Sequence, residues 1–156
     1  MGSTTGNTCD PQAEDIKKAF RFLVADEVGA LCPYLELREW EQGAIVMQEG
    51  VAEDYMGFLI EGRLAVKRLT GFWGKQIIIA ILEKGTLVGE GAFLNRGPRT
   101  TTVVAMEQCR MLVLTAAGMN DLILNRPMLA IKLLKHMLQI ISLRLTKAGE
   151  RISELL

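Results

Sequence analysis

The sequence predicts an α+β domain, because helical patterns at both ends of the chain enclose a central segment of short strands. Between about Tyr34 and Thr115, short runs rich in Val, Ile and Leu are separated by frequent glycines. This rhythm is typical of an antiparallel sandwich or barrel. A length of 156 residues fits one domain, and the 49% of hydrophobic residues can fill its core.

The N-terminal part predicts a lead-in followed by two helices. Residues 1–9 are polar and rich in Gly, Ser and Thr, so we expect a disordered segment before a folded domain at 10–156. Asp10 followed by Pro11 is a good helix start, since an N-cap residue precedes a proline at the first helical position. A second short helix is expected from Asp26 to Leu31.

The central segment predicts several strands joined by glycine turns. The apolar runs on either side of Glu61-Gly62 indicate a tight hairpin, with the glycine supplying a positive φ. A second hairpin tip is expected at Thr70–Gly74, where Phe72 and Trp73 would be exposed. The run Ile77–Leu82 is interpreted as a buried strand.

After Thr115 the pattern returns to helix. Thr115 can cap a short helix that reaches Leu124, and Pro127 begins a last helix spanning about 127–155. That helix carries a heptad-like seam, which favours a homodimer through a partner helix; a single broad core-facing helix in a monomer is the alternative. The seam consists of Ile131, Leu134, Leu138, Ile141, Leu145, Ala148, Ile152 and Leu155.

Composition argues against several classes of function. The 18 basic and 18 acidic residues balance, so nothing indicates bulk attraction to nucleic acid or to an acidic membrane. No apolar run is long enough for a membrane span. The three cysteines form no CxxC pair, which favours free thiols in a reducing cytoplasm. No catalytic set or metal cluster stands out, so we expect neither an enzyme nor a metal site.

The most informative segment runs from Val88 to Ala105. Gly89 to Ala92 should leave a strand and begin a short helical turn, whose free N–H groups can cradle an anion. Arg99 follows Pro98, and its guanidinium can grip two phosphate oxygens at once. Glu90, an acceptor when ionised, suits a sugar hydroxyl. Taken alone, these features also fit an ordinary loop with a surface ion pair.

Together they resemble the phosphate-binding cassette of the cyclic-nucleotide-binding domain family, which includes the catabolite activator protein and the regulatory subunit of protein kinase A. The resemblance covers roughly Ala19 to Arg151. It implies an antiparallel β-roll (a double-stranded β-helix or jelly-roll) flanked by an N-terminal helix and a long C-terminal helix. The residues that match the cassette are Gly89, Glu90, Ala92, Leu94, Pro98, Arg99, Thr102, Val103 and Ala105.

The resemblance also implies a ligand, cAMP or cGMP, and a role for each matching residue. Arg99 would pair with the cyclic phosphate, and Glu90 would accept the ribose 2′-hydroxyl. The last helix would act as a lid, with Ser142 and Arg144 as candidate base contacts. The remaining expected ligand-binding residues are Val88, Gly89, Gly91, Ala92, Thr100 and Thr101.

Some details stay open at this point. Gly91 and Thr101 depart from the family pattern, which bears on affinity and selectivity. Thr100 fits cGMP recognition or an ordinary strand position, and we favour cAMP or an unspecified purine. Two other functions remain as alternatives: the sensor half of a catabolite-activator-type regulator, without its helix-turn-helix domain because the chain ends at Leu156, or a ligand-free dimerisation module.

Overall fold

The computed structural model describes residues 10–156 and confirms the α+β class. The expected lead-in at 1–9 lies outside the described residues. The helices are α1 (Asp10–Ala19), α2 (Ala25–Leu31), α3 (Glu90–Asn95), α4 (Ala116–Asn125) and α5 (Pro127–Leu155), with a 3₁₀ turn at Cys32–Tyr34. The strands are β1 (Glu36–Trp40), β2 (Ile45–Met47), β3 (Tyr55–Glu61), β4 (Leu64–Leu69), β5 (Gln76–Leu82), β6 (Leu87–Val88), β7 (Thr102–Ala105) and β8 (Cys109–Thr115).

The strands form two four-stranded antiparallel sheets, in the orders β1-β8-β3-β6 and β2-β7-β4-β5. The helices flank this roll at the two ends of the chain, as the resemblance implied. The short helix α3 follows β6 directly and leads towards β7, so the cassette segment crosses from one sheet to the other. This crossing places the candidate site at the junction of the sheets.

Strand β3 shows how the alternation of side chains builds two cores. Met56 and Phe58 join the cluster that contains helix residues such as Phe20 and Leu133. Leu59, on the other face, belongs to the cluster between the sheets, together with strand residues such as Val88. Successive side chains of a strand point to opposite faces, so a strand apolar at nearly every position can serve both cores.

Two expectations about the strands are wrong. The runs around Gly62 do not pair with each other, because β3 and β4 lie in different sheets. Gly62 has φ +89°, and a Cβ there would lie 2.5 Å from the Gln108 carbonyl oxygen, so the turn redirects the chain between sheets. The run Ile77–Leu82 is a strand but not a buried one. It is an edge strand, with Ile77 50% and Ile78 57% exposed.

The hairpin tip between β4 and β5 is confirmed, and Phe72 and Trp73 are 81% and 93% exposed there. The cap of α4 is also confirmed, since the Thr115 Oγ1 accepts a hydrogen bond from the Gly118 N–H at 3.0 Å. Helix α5 buries Leu129, Ala130, Leu133 and Met137 against the domain. None of the described helices is both long and apolar enough to cross a membrane.

Much of the heptad seam on α5 has no cover from the domain itself. Leu138 is 65% exposed, Leu145 72% and Ile152 60%. The buried side chains of this helix all lie in its first half, and from Ser142 onwards no described side chain of α5 is fully buried. The second half is therefore an extended apolar surface beyond what one domain covers.

The cysteines differ from one another. Cys109 is a buried free thiol, and burial raises its pKa. Cys32 is disulfide-bonded, so the expectation of three free thiols is wrong for Cys32. The cytoplasmic location inferred from that expectation loses this part of its support.

Candidate functional site

The site begins at an elbow that only glycine fits well. Gly89, the residue before α3, has φ +76°, which disfavours side chains with a Cβ. A Cβ at this position would lie 2.6 Å from Nη1 of Arg99 and 2.7 Å from Cε of Met47. The glycine therefore lets the backbone turn and lets the arginine approach it. Beyond the elbow, α3 runs as a six-residue turn of helix, as expected from the sequence.

Arg99 is buried, with only 4% of its surface exposed. Its backbone is held on both sides, because its N–H donates to the Val51 carbonyl at 2.9 Å and its carbonyl accepts from the Gly50 N–H at 2.8 Å. Arg99 lies three residues before β7 rather than within a strand. Arg99 is thus set in a connecting segment whose main chain is pinned to the loop before β3.

The guanidinium of Arg99 is oriented by three acceptors. Nη1 donates to the Gly89 carbonyl at 2.9 Å, Nε to Oε2 of Glu53 at 3.3 Å, and Nη2 to the Tyr55 carbonyl. A guanidinium carries five N–H donors, so two remain for a ligand. Its cation also lies 4.9 Å from the centre of the Tyr55 ring. These contacts fix a buried positive charge at the elbow.

Tyr55 contacts the Arg99 guanidinium through its carbonyl and its ring. Its hydroxyl donates to the Val46 carbonyl at 2.8 Å, which fixes the ring. A second guanidinium, that of Arg38, lies 4.8 Å from the ring centre. Burial, followed by the nearby Glu53 carboxylate, raises the pKa of the Tyr55 phenol. The tyrosine therefore stays neutral at physiological pH and serves Arg99 through its carbonyl and its ring face.

Glu90 is bound by the last helix. Nη1 of Arg144 in α5 donates to its Oε1. Nη2 of the same arginine donates to Oγ1 of Thr86 at 2.7 Å and to the Leu87 carbonyl at 2.9 Å. Arg144 thereby ties α5 to the segment that leads into the elbow. We name this set of contacts the Arg144 latch.

Arg99, Glu90 and Arg144 line one cavity of about 270 Å³. Apolar side chains form part of its lining, with Met47, Val66, Ala80 and Leu82 among the contributors. Of the residues predicted to bind ligand, those on the cavity wall are Val88, Gly89, Glu90, Gly91, Ala92, Arg99, Thr100, Thr101 and Arg144. Ser142 is exposed and does not line the cavity. Arg144, the other candidate base contact, lines the cavity next to the Glu90 carboxylate, to which it donates a hydrogen bond.

The sequence did not identify the groups that hold the site together. Glu53 and Tyr55 are 46 and 44 residues from Arg99 along the chain, and Thr86 is 58 residues from Arg144. No local pattern marks such long-range partners. The one available signal was Glu53, an acidic residue just before the apolar strand β3. Many surface loops carry an acidic residue at such a position, so the pattern does not identify a partner for Arg99.

This arrangement can recognise a small anion attached to a hydroxyl-bearing apolar body. A buried guanidinium and free N–H groups at the start of α3 supply positive potential, and the carboxylate supplies a hydrogen-bond acceptor nearby. Among the described residues, no group of three His, Cys, Asp or Glu side chains could hold a metal ion. The cavity thus has the chemistry of a binding site.

Comparison with known proteins decides the family. The family model described as the cyclic nucleotide-binding domain matches residues 37–126. The chain belongs to the cyclic nucleotide-binding domain family. The matched range includes the elbow, Arg99 and every other residue that lines the cavity except Arg144.

Curated relatives place this domain in longer proteins. A putative potassium channel protein of Rhodopseudomonas palustris is 31% identical over 73% of this chain and 27% of its own length. The cyclic AMP receptor protein of Thermus thermophilus is 28% identical over 71% of this chain and 51% of its own length. The chain therefore spans about a quarter of the first of these relatives and about half of the second.

A solved structure supports the architecture. A cyclic nucleotide-binding domain from Methylobacillus flagellatus superposes with a TM-score of 0.85, covering 95% of this chain and 86% of that one. Its sequence identity is 24%, so this likeness concerns the fold. It confirms the β-roll with its flanking helices.

Proposed function

We propose that this cyclic nucleotide-binding domain is a sensor that binds a purine cyclic monophosphate in the 270 Å³ cavity. The observation that carries the proposal is the presence of Arg99 and Glu90 on the wall of one cavity at the Gly89 elbow. The cyclic phosphate would take the two remaining donors of Arg99 and the N–H groups near Gly91 and Ala92. The ribose 2′-hydroxyl would donate to Glu90, and the base would lie on the apolar wall.

We propose cAMP as the preferred ligand. One relative is named a cyclic AMP receptor protein, which supports this choice by similarity alone. Thr100 is the residue that would favour cGMP instead, because it lines the cavity and its hydroxyl would have to reach a guanine amino group. A Thr100→Val variant separates the two cases, since it removes the hydroxyl and keeps the shape. It should leave cAMP affinity unchanged and would weaken cGMP binding only if Thr100 reads the base.

The binding of nucleotide would be transmitted through the Arg144 latch. The latch engages Oε1 of Glu90, and the described residues supply no donor for Oε2, so a ribose hydroxyl can bind without breaking the ion pair. Arg144 would then position the Glu90 carboxylate for the sugar and couple nucleotide binding to the position of α5. Such a switch needs contacts that differ between the free and bound states, and this shared carboxylate provides one.

The Arg144→Gln variant tests this coupling. It removes a partly exposed charged contact, so nucleotide affinity should fall by about 2- to 10-fold. Protection of the α5 amides against hydrogen exchange should rise on nucleotide binding in the unmodified protein and not in the variant. Lys147→Gln, an exposed change of the same helix, is the control. Equal protection changes in the two variants would rule out the latch as the coupling element.

We further propose a homodimer through the exposed seam of α5. Leu138, Leu145 and Ile152 recur on one stripe that the domain leaves open. Exposed apolar stripes with heptad spacing are stabilised by a second helix. The seam and the latch share one helix, so a dimer would connect the two cavities.

We propose that the role of the domain is non-catalytic. A thermal-shift screen distinguishes a nucleotide-binding sensor from a ligand-free module. At a concentration 100 times Kd, a ligand stabilises by about 2.7 kcal/mol, which corresponds to a rise of about 5–10 °C in Tm. We expect such a rise with cAMP, a smaller one with cGMP, and none with linear AMP. No shift with any of the three nucleotides would favour a ligand-free module.

A further inference from the structure

A second cavity of about 400 Å³ lies on the helix-bearing side of the roll. It is enclosed by α1 and the residues just after it, by β3, by the turn at Lys84-Gly85, and by His136 of α5. It shares no lining residue with the nucleotide cavity. The two sites are therefore separate spaces within one domain.

The charge at this cavity is positive. Lys18, Arg21 and Lys84 line it, and none of them forms an ion pair with another described residue. The single lining carboxylate, that of Asp15, is already bound by both terminal nitrogens of Arg110 at 3.3 and 2.8 Å. Three cations thus face the cavity with the local carboxylate neutralised, and an anion would be attracted there.

The aromatic residues at this cavity differ in exposure: Phe20 and Phe58 are core residues, 1% and 4% exposed, whereas the His136 ring is half-buried. Phe20 and Phe58 meet edge to face with their ring centres 4.8 Å apart, and both line the cavity. The His136 ring lies 5.6 Å from that of Phe20. Burial lowers the pKa of His136, so near pH 7 the imidazole is neutral and offers hydrogen bonds in place of charge. An accessible imidazole ring beside a charged rim suits a ligand that is flat at one end and anionic at the other.

We propose that this cavity is a second ligand site, which takes a small anion with an aromatic body. The anionic group would bind among Lys18, Arg21 and Lys84, and the ring would pack against the half-buried imidazole of His136. This goes beyond the proposed nucleotide site and does not depend on it.

The position of the cavity also provides a structural connection between a second ligand and the nucleotide site. Lys84 and Gly85 line it, and the next two residues, Thr86 and Leu87, accept the hydrogen bonds of the Arg144 latch. His136, which also lines the cavity, belongs to the same helix as Arg144. A ligand in contact with both would bridge α5 and the turn, the two parts of the chain that the Arg144 latch joins.

The experiment uses phenyl phosphate as the probe and the imidazole of His136, the one histidine of the chain, as the reporter. NMR of the labelled ring is recorded during titration at constant ionic strength, with inorganic phosphate in a parallel series. The test variant is Lys18→Ala/Lys84→Ala. The matched control is Lys17→Ala/Lys75→Ala, which removes two exposed lysines that do not line the cavity. An Arg99→Ala variant removes phosphate binding at the nucleotide cavity.

We expect a saturable shift of the His136 signals with phenyl phosphate, tighter than with inorganic phosphate. The affinity should fall about 5-fold or more in the test variant, as expected for two lost ionic contacts, and stay within about 2-fold in the control and in Arg99→Ala. Equal affinity in the test and control variants would overturn the proposal. So would a shift that disappears in Arg99→Ala, because the anion would then occupy the nucleotide cavity, or the absence of any saturable shift.

Discussion

Replacing Arg99 tests the recognition of the phosphate most sharply. In Arg99→Ala the nucleotide loses charge-assisted hydrogen bonds to a guanidinium that is only 4% exposed. A hydrogen bond to a charged group is worth about 1.5–3 kcal/mol, so the loss should reach about 3 kcal/mol, or roughly 100-fold in Kd. Isothermal titration calorimetry with cAMP measures this change directly.

The variant should remain folded, which makes the result interpretable. Removal of the guanidinium leaves the carbonyls of Gly89 and Tyr55 without this donor and Glu53 without its ion pair. Glu53 is partly open to water, with 28% of its side chain exposed, so its charge can be solvated. A cost of about 1–3 kcal/mol lies within the roughly 5–15 kcal/mol stability of a typical domain. Circular dichroism on the same sample verifies the fold.

Two further variants separate charge from geometry. Arg99→Lys keeps the charge but cannot contact Gly89, Glu53 and a phosphate together, so its affinity should lie between those of the alanine variant and the unmodified protein. Arg96→Ala removes an exposed arginine on the same segment that does not line the cavity, and should bind normally. If folded Arg99→Ala binds cAMP within about 2-fold of the unmodified protein, instead of with the roughly 100-fold loss expected, Arg99 does not recognise the phosphate.

Three other outcomes follow from the structure. Gly89→Ala should lose about 1–3 kcal/mol of stability in urea unfolding, because alanine must adopt φ +76° beside Arg99; unchanged stability would contradict the account of the elbow. Leu145→Lys should convert the proposed dimer to a monomer in analytical ultracentrifugation, whereas Leu143→Lys, exposed but off the seam, should not. The His136 pKa is lowered in the folded protein, so stability should fall as pH drops below about 6.5, and His136→Phe should remove that decrease in pH-dependent unfolding.

Much of the fold could be predicted because its signals are local. The cap at Thr115, the proline at the start of α5, and the glycine elbow at Gly89 each act within a few residues. The cassette residues were predicted from the resemblance to a known family and not from their spacing alone. Once that resemblance was recognised, the segment from Val88 to Thr101 pointed to one cavity.

The errors came from features that depend on tertiary structure. The chain around Gly62 reads as a hairpin, yet its two strands enter different sheets because the turn packs against Gln108 and Cys109. The isoleucines of β5 look like core residues, but their strand lies at the edge of its sheet. Local hydrophobicity carries no information about sheet order, so neither error could be avoided from the sequence.

A crystal structure of the protein grown with cAMP would locate the nucleotide relative to Arg99 and Glu90. We expect density for one nucleotide in the 270 Å³ cavity, with a phosphate oxygen within hydrogen-bonding distance of the Arg99 guanidinium and the ribose 2′-oxygen within the same distance of the Glu90 carboxylate. A nucleotide bound elsewhere, or one in this cavity with its phosphate turned away from Arg99, would contradict this expectation.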